Sequence, residues 1–291
     1  MTGVATGKIS RVSDTARWVA MYRAMESERP DALFRDPYAR KLAGPEGPAI
    51  LEALPKARKQ FAWPMIVRTA VLDEFILEAV HRDGADTVLN LAAGLDARPY
   101  RLSLPASLTW IEVDLPPMLA YKREQLVNEQ PRCRVDQAPV DLTDAAARRG
   151  LFARVGAEGR KVLIITEGLL VYLSREQVAE LARDLAAVPS LRWWVLDIVG
   201  PEILKRLQKM WGTQLEAAPL QFGPAEMTAF FEPFGWRERA FRSTFMESLR
   251  LKRSVRFATF WALMIRLSPA KRREKMSRMA GFALLERAPT K

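Results

Sequence analysis

The fold is decided by residues 87–98, which read TVLNLAAGLDAR. The first five residues predict a buried β-strand, because they form an apolar run with one polar residue inside it. Small residues follow, and Gly94 with the two alanines before it would let a ligand approach the backbone closely. Alone, this turn is as consistent with a strand-to-helix connection that binds nothing as with a ligand site.

Outward from this segment, short β-rich runs alternate with helical ones. The further predicted strands are residues 109–113, 134–140, 162–166 and 193–199, and the helices between them are 116–128, 144–155 and 174–187. Such alternation predicts a parallel sheet built from strand–helix–strand units. Two later strands, 239–245 and 282–286, are separated by a long basic insertion. The pattern predicts an α/β fold with a doubly wound sheet and an antiparallel edge.

The chain before this sheet is predicted to be helical. Helices are expected from Ser13, from Asp36 and from Met65, the last ending at His81 with apolar residues on one face. We therefore divide the chain into a helical N-terminal cap or lid, residues 1–84, and a sheet domain, residues 85–291, with an insertion around 247–280.

Composition limits the classes of function. Of the 291 residues 49% are hydrophobic and 27% charged, the balance of a folded chain. The net charge of +11 lies entirely in residues 237–291, which hold 15 basic and 4 acidic residues. A single cysteine, Cys133, and a single histidine, His81, exclude zinc clusters of several Cys or His ligands, so no metal site is expected. Without a signal segment, a disulfide or an apolar run near ~20 residues, a cytoplasmic location is expected.

Carboxylates follow several predicted strands, where open α/β sheets bind ligands. Asp114 ends the second strand, 20 residues after Gly94, which is the spacing at which an acidic side chain reaches the ribose of an adenosine cofactor. Its alternative role is to cap the helix that begins at Pro116. Asp141, after the third strand, could accept a hydrogen bond from an adenine amino group or only form a turn or helix cap.

Glu167 directly follows the fully apolar fourth strand, and Asp197 lies near the end of the fifth. An ionised carboxylate in such a place needs a partner, so Glu167 is expected to face a ligand, a cation or a loop.

The chain resembles the leucine carboxyl methyltransferase family, whose bacterial members are S-adenosylmethionine-dependent O-methyltransferases. The resemblance rests on residues 13–16, 23–24, 33–39, 90–98, 112–114, 141–142, 167–170 and 279–287. It implies a class I methyltransferase fold, Rossmann-like, with an antiparallel last strand preceded by a helical insertion. It also implies S-adenosyl-L-methionine as cofactor and S-adenosyl-L-homocysteine as product.

The resemblance implies a role for each matched residue. Arg68 would grip the methionine carboxylate, Gly94 would give backbone access, and Asp114 would bind the ribose. The adenine would lie against Asp141 and Leu142, and the methionine or sulfonium side against Glu167. Ala92 stands where the family often has glycine, and a basic residue of the first helix, Arg17 or Arg23, would also contact the cofactor.

The implied activity is O-methylation of a carboxyl or hydroxyl group on a small molecule of the natural-product type. His81 precedes the first strand, at the end of the sheet away from the cofactor, so we expect no histidine base. The aromatic residues that we regard as candidates for the acceptor wall, or else as core, are Tyr22, Trp63, Tyr172 and Trp211. The alternatives are a protein C-terminal carboxyl methyltransferase and a non-catalytic protein that binds an adenosine ligand or nucleic acid.

The basic tail surrounds an apolar run, Phe257 to Ile265. Such a segment forms a lid, a membrane or oligomer contact, or a buried helix with solvated ends. We favour the lid or the buried helix, with at most weak contact to anionic membranes. Nucleic-acid binding is not expected, because stacking aromatics do not alternate with the basic residues. The oligomeric state stays open.

Overall fold

A computed structural model describes residues 12–53, 62–211, 219–254 and 258–288. The strands are β1 (Thr87–Leu91), β2 (Thr109–Asp114), β3 (Arg134–Pro139), β4 (Val162–Thr166), β5 (Leu191–Val199), β6 (Trp236–Ser243) and β7 (Ala280–Arg287). The helices before and among the first strands are α1 (Val12–Ser27), α2 (Ala39–Ala43), α3 (Glu46–Ala53), α4 (Ala62–His81), α5 (Arg98–Arg101) and α6 (Pro116–Gln125). The later helices are α7 (Ala145–Glu158), α8 (Arg175–Ala186), α9 (Pro201–Trp211), α10 (Thr244–Arg250), α11 (Ala258–Arg266) and α12 (Ala270–Ser277).

The seven strands form one sheet in the order β3-β2-β1-β4-β5-β7-β6. Strands β1 to β5 pair in parallel, whereas β7 runs antiparallel to both β5 and β6. Strand order reverses at β1, which lies between β2 and β4. This topology confirms the predicted doubly wound sheet with its antiparallel last strand, and it places the ligand-binding crevice at the carboxyl ends of β1, β2 and β4.

The two faces of the sheet are covered by two separate apolar clusters. In β4, Val162 and Ile164 contribute to one cluster, while Leu163 and Ile165 contribute to the other. Each of these side chains is fully buried, which stabilises the fold by roughly 1.5–3 kcal/mol per side chain. Helix α4 packs on the second face, so the last part of the predicted cap forms a layer of the sheet domain.

Local capping explains where two of the helices begin. Ser174 and Gln177 form the predicted capping box, in which each side chain bonds the other residue's backbone at the start of α8. Asp144 caps α7 by accepting hydrogen bonds from the amides of Ala146 and Ala147. Sequence patterning missed α3 and α9, and it placed the sixth strand three residues late, because Trp236 already pairs with Arg287 of β7.

The insertion before β7 consists of α10, α11 and α12. The expectation of a buried helix over Phe257 to Ile265 is wrong, since Phe260, Trp261, Leu263 and Met264 are exposed. Residue 257 lies outside the described residues. None of the described helices has both the length and the hydropathy that crossing a bilayer requires.

Candidate functional site

The turn after β1 takes an unusual backbone path. Ala92 and Gly94 both adopt positive φ, at 55° and 48°, and the amide of Ala93 donates to the carbonyl of Val113 at 3.0 Å. Asn90, buried in β1, donates its side-chain amide to Asp96 Oδ2 at 2.9 Å and so closes the turn. Positive φ costs a non-glycine residue roughly 1–2 kcal/mol, so Ala92 holds a conformation that glycine would adopt freely.

Asp114 joins this turn to the end of β2. Its Oδ2 accepts a hydrogen bond from the Gly94 amide at 2.7 Å, and its Oδ1 accepts one from the Leu115 amide at 2.7 Å. Burial raises the pKa of Asp114, although these two hydrogen bonds oppose that shift. The carboxylate keeps free lone pairs, so it can still accept hydrogen bonds from the hydroxyls of a ligand.

Glu167 lies between two arginines at the end of β4. Its Oε1 accepts from Arg68 Nε at 2.9 Å, and its Oε2 accepts from the Arg98 guanidinium at 2.6 Å. Burial alone would raise the pKa of Glu167, but the charges of Arg98 and Arg68 outweigh it and hold that pKa below its ordinary value. Glu167 is therefore an ionised carboxylate at neutral pH, and its partners in the structure are cations, one of the three kinds of partner expected from its position.

Arg68 also reaches the end of β5. Its NH1 contacts Asp197 Oδ2 at 3.2 Å, and Asp197 Oδ1 accepts from the Gly168 amide at 2.7 Å. Gly168 adopts φ +65°, and a Cβ on it would lie 2.9 Å from Arg68 NH1. Glycine is required here because the guanidinium lies directly against the backbone.

Arg98 lies beneath this contact and is 2% exposed. Its guanidinium contacts Asp73 at 2.6 Å and Asp96 at 3.0 Å in addition to Glu167. Arg101 pairs with the other oxygen of Asp73 at 2.7 Å. We call these connected side chains the edge cluster: Arg68, Asp73, Asp96, Arg98, Arg101, Glu167 and Asp197.

Only part of the edge cluster could be predicted from the sequence. Asp73 and Arg98 were not singled out, although a charged residue on the apolar face of α4 and an arginine closing a turn of small residues both need partners when buried. The burial of Asp96 would raise its pKa, but Arg98 and the cations around it lower that pKa far below its ordinary value. The negative charges of Asp96 and Glu167 are thus fixed by the arginines around them.

The residues expected at the adenine end, Asp141 and Leu142, lie two and three positions beyond β3. Asp141 is exposed, and its Oδ1 accepts from both the amide and the hydroxyl of Thr143, at 2.9 and 2.7 Å. Those hydrogen bonds lower the pKa of Asp141. Leu142 packs against the apolar cluster on that face of the sheet. The cap of α7 is Asp144, so Asp141 forms the turn and is not the helix cap.

Of the two basic candidates in α1, one contacts the turn. Arg23 donates to the carbonyl of Leu95 at 2.5 Å and pairs with buried Asp36 at 2.8 Å. Arg17 instead donates to Tyr121 and to the carbonyl of Ala43, at 2.7 and 3.0 Å. Arg23 therefore connects α1 to the turn after β1 through the Leu95 carbonyl.

The aromatic candidates divide between different places. Tyr22 and Tyr172 belong to one apolar cluster with Trp18, Leu204 and Leu220, whereas Trp63 packs against the cluster that includes α4. The side chain of Trp211 lies outside the described residues. Burial raises the pKa of Tyr172, so its phenol stays protonated at neutral pH. Trp18, which forms an edge-to-face pair with Tyr22, was not singled out from the sequence.

His81 lies at the end of α4, six residues before β1, and accordingly at the amino ends of the strands. It is exposed, and its Nε2 is 2.8 Å from the carbonyl oxygen of Ser103. The described part of the chain holds no cluster of three or more His, Cys, Asp or Glu side chains able to bind a metal ion.

The fold and this arrangement define a class I methyltransferase: a seven-stranded sheet whose β1 turn and β2 carboxylate meet at the switch in strand order. Two solved structures have the same fold as this chain, at a sequence identity too low to show more than the fold. A DUF574 family protein from Streptomyces avermitilis is 15% identical, with a TM-score of 0.58 over 94% of this chain and 97% of that one. A methyltransferase structure from Thermobifida fusca is 17% identical, with a TM-score of 0.55 over 93% and 94%.

The sequence comparisons identify the family. The family model described as leucine carboxyl methyltransferase matches residues 16–186. A relative from Mycobacteroides abscessus is 39% identical over 177 residues, 57% of this chain and 56% of that protein. A relative from Parafrankia is 32% identical over 258 residues, 80% and 79% of the two chains. Both carry the name of S-adenosyl-L-methionine-dependent methyltransferases.

The chain belongs to the leucine carboxyl methyltransferase family, and S-adenosyl-L-methionine is the cofactor of its named relatives. This confirms the family, the fold and the cofactor class expected from the sequence. The matches to the relative from Mycobacteroides abscessus and to two others, from Streptomyces coelicolor and Rhodococcus jostii, span between 56% and 62% of those proteins' lengths.

Proposed function

We propose that this chain is an S-adenosylmethionine-dependent O-methyltransferase that methylates a carboxyl or hydroxyl group of a small molecule. The observation that carries the proposal is the 2.7 Å hydrogen bond from the Gly94 amide to Asp114 Oδ2, which holds a carboxylate at the carboxyl edge of β1 and β2. The edge cluster lies directly beside it, because Asn90 and Asp96 connect the turn to Arg98.

The chemistry of the side chains fits the cofactor. Asp114 has lone pairs for the two ribose hydroxyls, and Arg68 offers a cation for the methionine carboxylate. Glu167 and Asp197 offer carboxylates for the ammonium and sulfonium groups. When bound, the cofactor supplies a methyl group on a cationic sulfur, which leaves by in-line displacement as the acceptor oxygen forms its new bond to carbon.

The fixed charges favour the cofactor over its product. At the strand ends Asp96, Asp114, Glu167 and Asp197 outnumber Arg68 and Arg98, so the local charge is negative when the carboxylates are ionised. The lowered pKa of Glu167 keeps that charge at neutral pH. A sulfonium cation is attracted to such a site more strongly than the neutral thioether of S-adenosyl-L-homocysteine, and product release is favoured.

The acceptor would meet an apolar, aromatic wall. Tyr172 follows Glu167 by five residues and shares a cluster with Tyr22 and Trp18, so the wall begins next to the sulfonium side of the cofactor site. The protonated phenol of Tyr172 is not a base, and His81 lies at the other end of the sheet. An acceptor that is already anionic, such as a carboxylate or an acidic phenol, needs no base in this site.

A second candidate substrate is a protein chain ending in a free carboxylate. Its support is the description of the matching family, leucine carboxyl methyltransferase.

The test is incubation with cofactor carrying a labelled methyl group and an extract of cells, followed by partition into organic solvent. The small-molecule proposal predicts label in the organic phase that is released by mild base when the product is a methyl ester. Label in precipitated protein would support the second candidate, and no transfer to either fraction would contradict both. Asp114→Ala is the control, since it should abolish transfer at low cofactor concentration.

A further inference from the structure

The insertion before β7 presents an apolar stripe to solvent. Helix α11 and the residue after its end expose Phe260, Leu263, Met264 and Leu267 by 56%, 52%, 48% and 71% of their surfaces. These positions follow the spacing i, i+3, i+4 and i+7, so they lie on one face of the helix. Trp261 stands beside the stripe and is 55% exposed.

This stripe is unusual within the described part of the chain. The other large apolar side chains exposed there are scattered singly along the sequence: Met25, Leu115, Val127 and Met246. Single exposed apolar residues are ordinary, but a contiguous stripe of them marks a surface that contacts something else.

Unpaired cations follow the stripe. Lys271, Arg272 and Arg273 of α12 are exposed, and no carboxylate among the described residues forms an ion pair with any of them. The basic residues upstream of α11 differ, because Arg250 pairs with Glu74 at 2.9 Å and Arg253 pairs with Glu26 at 2.8 Å. Among the described cations of this insertion that have no ion pair, Lys252 and Arg266 stand singly, whereas Lys271, Arg272 and Arg273 are consecutive and lie next to the apolar stripe.

We propose that α11 and α12, hereafter the α11–α12 hairpin, dock onto the surface of an anionic lipid bilayer. The apolar stripe with Trp261 fits the boundary between headgroups and acyl chains, and the three free cations complement anionic headgroups. Helix α11 has nine residues, about 14 Å, so it lies in the plane of the interface and does not span it.

The hairpin lies at the end of the sheet that holds the candidate site. Lys275 of α12 pairs at 3.1 Å with Glu202, which opens α9 directly after the carboxyl end of β5. A docked bilayer would thus face the carboxyl edge of the sheet. Vesicle binding can be measured without methyl transfer, so the docking proposal stands or falls independently of the proposed activity.

The charge arm of the test is co-sedimentation with phosphatidylcholine vesicles that contain or lack 30% phosphatidylglycerol. Each free cation near an anionic surface contributes about a fivefold gain, so Lys271→Glu with Arg272→Glu and Arg273→Glu should weaken binding to the anionic vesicles at least 100-fold. The matched control is Arg149→Glu with Arg154→Glu and Arg160→Glu. It reverses three exposed cations on and just after α7 and should leave most of the binding intact.

A second variant, Phe260→Ser with Leu267→Ser, tests the apolar stripe. It removes the exposed apolar side chains at the two ends of the stripe. Because α11 buries little of itself, this variant should keep its circular dichroism and thermal unfolding. It should lose about tenfold or more of its vesicle binding, and the binding that remains should fall more steeply with salt, since charge then contributes a larger share of it.

Four results would overturn the proposal. Anionic vesicles could bind no better than phosphatidylcholine, or the α7 control could weaken binding as much as the α12 reversal. The third is a concentration-dependent dimer in analytical ultracentrifugation that the apolar variant dissolves and that vesicles do not compete with, which would assign the stripe to a second copy of the chain. Duplex DNA bound more tightly than the vesicles would likewise assign the cations to nucleic acid.

Discussion

The carboxyl edge of the sheet and the α11–α12 hairpin are both rich in arginine, but the edge buries its arginines beside carboxylates while the hairpin exposes its own. Arg98 contacts Asp73, Asp96 and Glu167, and it is almost completely buried. Arg272 and Arg273 are exposed and pair with no described carboxylate. A buried arginine therefore requires carboxylate partners within the chain, whereas an exposed arginine remains available for a partner outside it.

The largest effect on stability is expected from a substitution in the buried edge cluster. Arg98→Ala removes the cation that Asp73, Asp96 and Glu167 share. It leaves Asp96 without an ion pair, and we expect it to lower the free energy of unfolding by about 3–5 kcal/mol in urea titrations. Arg149→Ala, on the exposed face of α7, is the matched control and should change it by less than about 0.5 kcal/mol. If the two variants lost equal stability, the edge cluster would not be held by Arg98.

Gly168 tests how closely the edge cluster approaches the backbone. Gly168→Ala places a Cβ 2.9 Å from Arg68 NH1 at a positive φ, so it should lower the free energy of unfolding by about 1–3 kcal/mol. Gly150→Ala is the control, because Gly150 lies in α7 with open space around it and alanine is the better helix former. The control should raise stability slightly, and a neutral Gly168→Ala would show that Arg68 does not lie where we place it.

A smaller effect is expected at the turn itself. Ala92 adopts φ 55°, and Ala92→Gly should raise the free energy of unfolding by up to about 1 kcal/mol in the same titrations, because it relieves the left-handed conformation. Ala93, whose φ is not positive, provides the control: Ala93→Gly should destabilise. Destabilisation by both changes would mean that the turn does not need a left-handed residue at position 92.

Much of this architecture follows from the sequence, because buried parallel strands are short apolar runs with clear ends. Residues 87–91 and 162–166 are predicted without error for that reason. Asp114 was found from its 20-residue distance to Gly94, a spacing that the strand–helix–strand unit imposes. The sequence predicts either an adenine contact or a turn or helix cap at Asp141. The hydrogen bonds from Thr143 show that Asp141 forms the turn, and the adenine contact stays a prediction.

The remaining contacts of the site depend on which distant segments of the chain pack together in the folded protein. The contact between Arg98 and Asp73 joins residues 25 positions apart, and no local pattern announces it. The apolar run of α11 illustrates the same limit, because periodicity identifies an apolar face but not what covers that face. The expectation of burial was therefore wrong, although the helix itself was real.

The smallest effect is expected at His81. It lies at the amino ends of the strands, 2.8 Å from the Ser103 carbonyl oxygen, so His81→Ala should change kcat less than about twofold at saturating cofactor. Initial rates of methyl transfer between pH 6 and 8 provide the measurement. A loss of several orders of magnitude in kcat with an intact circular dichroism spectrum would place the histidine in the reaction and contradict the base-free site.

The central claim, an adenosine cofactor held by Asp114 at the β1 turn, is tested most directly by calorimetric titration with S-adenosyl-L-homocysteine. We expect one site per chain, and Asp114→Ala should weaken binding by about 1–3 kcal/mol through the loss of hydrogen bonds to the ribose hydroxyls. Asp136→Ala, on the neighbouring strand β3, should bind as the unmutated chain does. Absence of binding by the unmutated chain, or equal affinity in the Asp114→Ala variant, would contradict the account.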